Sequence, residues 1–297
     1  MALAEPHLIP PPSPPSRSLI GSHLRARTGS ALTGTSLGNG IAFVSVAAVF
    51  VIAVAAALLA PYDATVPVGA PLTPPGADHL FGTDEIGRDV LSRVLVGMQS
   101  SWWGAMIVIA SGVLIGGAVG LVAGAAGGAV DGVLMRTTDA FLAMPAAVLA
   151  VAMVAALGPS YAHTLMAIAI VWWPLYARIV RGEVGRLRAS PHMEAARVGG
   201  AGPWRLATRH LLPGAVPPTI VAASLDVGAL VLMLAGLSFL GLGAPAPAPE
   251  LGSMSARGVA YIFQAWWVPL MPAVGVFVLA MVANFGGDAL RDRIRDR

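Results

Sequence analysis

Chemistry in this chain has few residues to come from. Its 297 residues include 15 carboxylates, six histidines and 18 arginines, with neither a lysine nor a cysteine. Without lysine there is no Gly-Lys-Ser/Thr phosphate loop and no Schiff base, so no P-loop ATPase can be built from this polypeptide. Without cysteine there is no disulfide framework and no thiolate metal site. The histidines, at positions 7, 23, 79, 163, 192 and 210, show no ligand spacing, and no His-Glu-x-x-His set occurs. No catalytic residue, cofactor or metal site is therefore expected. Two polar features remain: an arginine-rich stretch at 190–213, and one carboxylate, Asp226, inside an apolar run.

The first runs Ser190-Pro191-His192-Met193-Glu194-Ala195-Ala196-Arg197-Val198-Gly199-Gly200 and on to Arg209-His210-Leu211-Leu212-Pro213. Its residues predict two short helices and a turn. Ser190 is suited to cap the first, Pro191 fits its opening position, and Glu194 suits the positive end of the dipole. Gly199, Gly200 and Gly202 stop it, Pro203 starts the second helix, and Pro213-Gly214 ends that one. The plain reading is a surface hairpin whose Glu194 pairs with Arg197; the functional one is a structured contact for another protein.

Asp226 lies about 11 residues into its run, roughly 16 Å along a helix. A charge near mid-bilayer costs at least about 2.5–3.5 kcal/mol on insertion scales, so it should face a polar path, meet a partner or hold a proton. One role is to attract a cationic group on passing cargo, such as a peptide amine; the other is a hydrogen bond to a neighbouring helix. Trp172 and Trp173, beside Pro174, are candidates for lining the same path.

The elements that position these residues follow from composition. The chain is 56% hydrophobic and 11% charged, against about 25% charged in soluble domains. Charge-free runs predict six spans near 41–60, 102–126, 140–157, 164–181, 215–240 and 266–287, each near the roughly 20 residues that cross a bilayer. The break Gly158-Pro159-Ser160 separates the third from the fourth. Pro145, Pro174 and Pro272 should kink their helices. Trp102-Trp103 and Trp266-Trp267 suit the outer membrane interface. Gly112, Gly116, Gly120, Gly124 and Gly128 form a stripe that lets backbones approach closely, as static packing or as a sliding surface between subunits.

With the N-terminus inside, 15 of the 18 arginines fall on the cytoplasmic side and only Arg88, Arg93 and Arg257 outside, as the positive-inside rule requires. The net charge of +3 is spread between spans rather than gathered on one soluble face, so nucleic acid is not a partner. Residues 1–40, with Pro10-Pro11-Pro12-Ser13-Pro14-Pro15-Ser16 and a Gly/Ser/Thr-rich run, cannot bury a core and are expected to be disordered. The apolar run that follows is too long and too late for a signal-peptide core, so it reads as an uncleaved anchor. The expected organisation is thus a disordered cytoplasmic N-terminus at 1–40, an anchor plus external segment at 41–95, and a core of five spans at 96–297 that contains the cytoplasmic loop 182–214.

The external segment reads His79-Leu80-Phe81-Gly82-Thr83-Asp84-Glu85-Ile86-Gly87-Arg88-Asp89. Asp84 is placed to cap a short amphipathic helix bearing Ile86, Val90, Val94 and Leu95, with Arg88 and Asp89 turned to water or a partner. Beside it stand Gly236-Leu237-Ser238-Phe239-Leu240-Gly241-Leu242-Gly243 and Asn284-Phe285-Gly286-Gly287-Asp288. Together with Glu194-Ala195-Ala196, Gly200 and Leu212-Pro213, these words resemble bacterial ABC-importer permeases of the dipeptide, oligopeptide and nickel branch, over about residues 40–292. His210 and Leu234 depart from that pattern, where an aliphatic residue and often a glutamate stand.

The resemblance implies an all-α polytopic membrane protein with six transmembrane helices, the type I ABC-importer permease fold. It implies that Glu194, Ala195, Ala196, Gly200, Leu212 and Pro213 couple the chain to an ATPase. It implies a second homologous permease, ATP-binding ABC subunits that hold ATP and Mg, an extracytoplasmic substrate-binding protein and a bacterial inner membrane, with both termini cytoplasmic. The implied activity is import of short peptides by alternating access, with nickel chelates or other small solutes as the alternative cargo. A secondary transporter is the competing class, but no internal repeat and no set of coupled ionisable residues supports it.

Overall fold

Among the described residues, ten α-helices carry the chain, and the computed structural model describes residues 28–295. They are α1 (Thr28–Leu59), α2 (Val90–Ala126), α3 (Gly128–Leu142), α4 (Ala146–Leu157), α5 (Tyr161–Arg188), α6 (Pro191–Val198), α7 (Pro203–Leu206), α8 (Leu212–Phe239), α9 (Leu251–Gly258) and α10 (Trp267–Arg295). A π-turn, Ala207–Leu211, joins α7 to α8. The nearest thing to a sheet among these residues is an isolated bridge between Thr83 and Asp89. The chain divides into two units, 1–41 and 42–297. The first contributes the start of α1; the second holds everything that follows.

The expected disorder over 1–40 falls partly on residues 1–27, outside the described residues. From Thr28 the chain is helical. Once a long apolar helix exists, each further residue adds a hydrogen bond without a new nucleation step.

Among the described residues, four segments are long and apolar enough to cross a membrane: α2, α5, the run Pro203–Phe239 and α10. A fifth exists if α3 and α4, bent by 83°, count as one broken span. A shorter apolar helix within α1, Phe43–Leu59, lies at the low end of the roughly 17–25 residues that span a bilayer. The structure therefore carries four to five such spans where six are expected. The expected third span, 140–157, is divided because Pro145 sits between α3 and α4 at φ −58° and ψ 119°, an extended geometry that ends one helix before the next begins. Pro174 and Pro272 lie inside their helices. The break at 158–160 is where it is expected, between α4 and α5.

The main core gathers Ala105, Val108, Ile168, Leu230 and Leu279, none of them reached by solvent. The most extensive helix pair is α2 against α5, and the glycine stripe makes it. A Cβ on Gly116 or Gly120 would press on the carbonyl oxygens of Trp173 and Ala177, and one on Gly124 would sit 2.7 Å from Val184 Cγ1. Gly112, Gly116, Gly120 and Gly124 are thus occupied by packing within the subunit rather than forming a sliding surface, while Gly128 meets nothing within 4 Å. In lipid, where hydrophobicity drives no association, such close backbone contact is what holds helices together.

The tryptophan pairs split. Trp103 and Trp266 are partly exposed, whereas Trp102 and Trp267 are buried, and Trp267 Nε1 donates to the Thr83 carbonyl at 3.1 Å.

Candidate functional site

The hairpin begins where α5 ends. Ser190 is extended, at φ −79° and ψ 146°, and Pro191 opens α6. The expected side-chain cap is absent: Ser190 Oγ donates backward to the Leu187 carbonyl at 2.7 Å. Helix α6 stops at Gly199, and Gly200 takes φ +80°. Gly200 N donates to Arg197 O at 3.0 Å and Ala201 N to Ala196 O at 3.1 Å. That pair of bonds is a Schellman stop, whose left-handed residue is open to glycine and strained for L side chains.

The second arm differs from expectation. Pro213-Gly214 does not end it; α7 passes through the π-turn into α8 as one run, Pro203–Phe239. Leu212 N donates to Ala207 O, the wider i→i−5 bond, and Pro213 lies at the start of α8. A proline there removes a donor and crowds the preceding turn, and the widened turn accommodates it.

The base of the hairpin is fixed by apolar packing. Met193 and Leu211 are 2% and 3% exposed and share a cluster with Val180, Val184 and Ala215. The rest is open: Glu194, Ala195, Gly200, Leu212 and Pro213 are exposed and Ala196 is half-buried. Among the described residues Glu194 has no ion pair with Arg197. Val198 and Trp204 are 86% and 79% exposed, two large apolar side chains on an otherwise polar element. Neither they nor the anchor Met193 stand out in the sequence; the only signal is an apolar residue inside an arginine-rich stretch.

The structure separates the three residues expected along a path. Tyr176 OH donates to Asp226 Oδ2 at 2.9 Å and Trp172 Nε1 to the same oxygen at 3.2 Å. Trp173 turns away and meets Phe141 of α3 edge-on at 5.6 Å. Among the described residues no cation pairs with Asp226, whose partners are neutral donors from α5. Tyr176, fully buried, is the member that sequence spacing misses.

The segment before α2 is a buried ionic knot rather than an amphipathic surface helix. Arg88 and Asp89, expected to face water or a partner, are 3% and 1% exposed. Asp84 does not cap a helix: its Oδ1 accepts from Ile86 N and Arg88 N, and its Oδ2 accepts from Arg88 Nε at 2.6 Å. Asp89 is the cap of α2, accepting from Ser92 N at 2.8 Å, and its other oxygen meets His79 Nδ1 at 3.0 Å. Arg93 Nη1 donates to the carbonyl of Ala64 at 2.5 Å and to that of Pro247. Burial of these charges is what the sequence pattern hides, because the partners at 64 and 247 are remote. Nearby, Glu250 accepts from Ala244 N at 2.6 Å, and burial pushes its carboxyl above the usual range although that bond, Ser238 and Arg257 pull it down.

Comparison with known proteins matches residues 116–296 to the family described as binding-protein-dependent transport system inner membrane component. The chain is 43% identical over 223 residues to a probable D,D-dipeptide transport system permease protein of Escherichia coli (strain K12), covering 75% of each. It is 38% identical over 220 residues to a dipeptide transport system permease protein of Alkalihalophilus pseudofirmus, covering 74% of this chain and 72% of the relative. It is 37% identical over 262 residues to a nickel transport system permease protein of Escherichia coli (strain K12), covering 86% and 92%.

Proposed function

Because this chain belongs to the family of binding-protein-dependent transport system inner membrane components, we propose that it is the permease subunit of an ATP-driven importer of short peptides. The observation that carries the coupling half of this reading is the hairpin. Its exposed Glu194, Val198 and Trp204 stand on a base locked by Met193 and Leu211, which suits a rigid plug for a groove on an ATPase. ATP binding by the partner moves the hairpin, and the spans rearrange between outward-open and inward-open states around a path shared with a second permease. Glu194, Ala195, Ala196 and Gly200 form the contact, and Leu212-Pro213 passes the motion into α8. The protein crosses the bacterial inner membrane six times, the bent α3–α4 pair and α1 supplying two crossings, with both termini in the cytoplasm.

Peptide cargo is favoured over nickel by the carboxylate of Asp226, which pairs with no cation among the described residues, and by the two dipeptide-permease relatives. Copurifying the external binding protein and measuring which solutes raise its melting point decides the cargo.

Glu194→Lys reverses a charge at the contact, and Gly200→Pro removes the left-handed stop. Losing a buried charge contact costs a few kcal/mol, about a hundredfold or more in association. The variants should reach the membrane at normal levels yet recover less ATPase on copurification. Wild-type transport by the double variant, with the complex intact, sinks the coupling assignment. A cysteine at Ser190 or Ala201 should react with membrane-impermeant reagent only from the cytoplasm, and one at Ala248 only from outside.

A further inference from the structure

Two side chains of the hairpin take no part in the contacts above. His192 stands in the first turn of α6 and His210 in the π-turn, where permeases resembling this chain carry an aliphatic residue. His192 Nε2 lies 3.1 Å from His210 Nδ1, with ring centroids 5.1 Å apart and planes at 61°. His192 is exposed and His210 half-buried. Eighteen residues of sequence separate them, which is why no ligand spacing is visible in the chain.

We infer that His192 and His210 chelate one divalent transition-metal ion of the zinc class, across the two arms of the hairpin. Neutral imidazole nitrogen binds such ions at about 2.0–2.1 Å. Two nitrogens 3.1 Å apart subtend roughly 98° at an ion held at that distance, between octahedral and tetrahedral angles. The ion therefore fits with little movement of the backbone. Among the described residues no third carboxylate or histidine completes the set, so water fills the remaining positions. Without metal, one ring N–H faces the other ring's lone pair. Loading shifts that proton, through water, to the far nitrogen of the same ring, so that both facing nitrogens are bare; no electron moves. The ion then ties α6 to the π-turn, a polar link added to the Met193 and Leu211 packing and the Gly200 stop.

The rest of the chain offers little competition. It has no cysteine, His79 Nδ1 is engaged by Asp89, and His163 Nδ1 by the Gly158 carbonyl. The test uses the full-length chain in nanodiscs, purified without a histidine tag and dialysed against micromolar zinc chloride. Wild-type protein should retain about one zinc per chain more than His192→Ala or His210→Leu, while the His7→Ala/His23→Ala variant matches wild type. Zinc should also slow trypsin cleavage at Arg197, Arg205 and Arg209 severalfold in the wild type and not in His210→Leu. Both variants change surface-side residues, and matching circular dichroism without zinc verifies their folding. Retention equal in wild type and His210→Leu, or no retained zinc at all, overturns the assignment.

Discussion

Arg93 Nε lies 3.5 Å from Asp84 Oδ2, with the two side chains 1% and 5% exposed. Asp84 thus answers two guanidiniums, Arg88 and Arg93, while Arg93 also reaches the backbone at 64 and 247. The Arg93 guanidinium therefore ties the loop after α1 and the loop before α9 to the first turn of α2, with Asp84 as its counter-charge.

Asp84→Asn takes the paired carboxylate from buried Arg93 and leaves buried Arg88 with Glu85 alone, at 3.3 Å. Removing one partner of a buried pair typically costs about 3–5 kcal/mol. Thermal unfolding of the detergent-solubilised protein should show a large drop in midpoint. Asp63→Asn, which keeps an acceptor for Thr65 and removes only an exposed charge, should leave the midpoint nearly unchanged; equal drops refute the knot.

Gly120→Leu places a side chain against the Ala177 carbonyl, so α2 and α5 must separate. The expected result is poor accumulation in the membrane and early protease cleavage. Gly117→Ala, which meets nothing within 4 Å, should behave as wild type. A tolerated Gly120→Leu contradicts the close-contact seam.

These two cases mark what the sequence makes legible. The glycine period is visible because only small residues permit backbone contact, yet whether the surface faces its own α5 or another subunit depends on residues remote in sequence, as Ala177 is from Gly120. Gly200 is legible too, since its left-handed turn excludes other residues. Arg88 and Asp89 were expected outside because charge normally means water; their burial depends on acceptors remote in sequence. Pro145, expected as a kink, is a complete break between α3 and α4. Met193 carries no periodic signal in so short a helix, and its anchoring is a tertiary fact.

Glu250 gives a pH signature. Its carboxyl is held above the ordinary value of 4.5 by burial, so the fold favours the protonated form. Stability from this group is fully present below that value and is lost as pH rises through the raised one. Glu250→Gln keeps an acceptor for Ala244 N–H and removes the charge. Relative to wild type its melting midpoint should climb as pH goes from about 4 to 7; a pH-independent difference would falsify this account.

Asp226→Asn keeps the bonds from Tyr176 and Trp172 but deletes the negative charge. If a cargo amine passes this carboxylate, uptake of peptides with a free amine should fall at least about tenfold, the scale of a lost charge-assisted contact. Uptake of N-acetylated peptides should change little. An equal effect on both cargoes assigns Asp226 to helix packing alone.

The seam between α2 and α5 has a mechanical consequence. With backbones touching, no layer of side chains remains that could repack, so the two helices cannot slip and form one stiff beam. Arg188 Nη1 donates to the Gly124 carbonyl at 2.7 Å, which bolts the end of α5 to the end of α2, and Met193 mounts the hairpin on that end. Helix α2 is 37 residues long, about 55 Å at 1.5 Å per residue. The hairpin at Met193 and the ionic knot at Asp89 thus stand at opposite ends of the same beam.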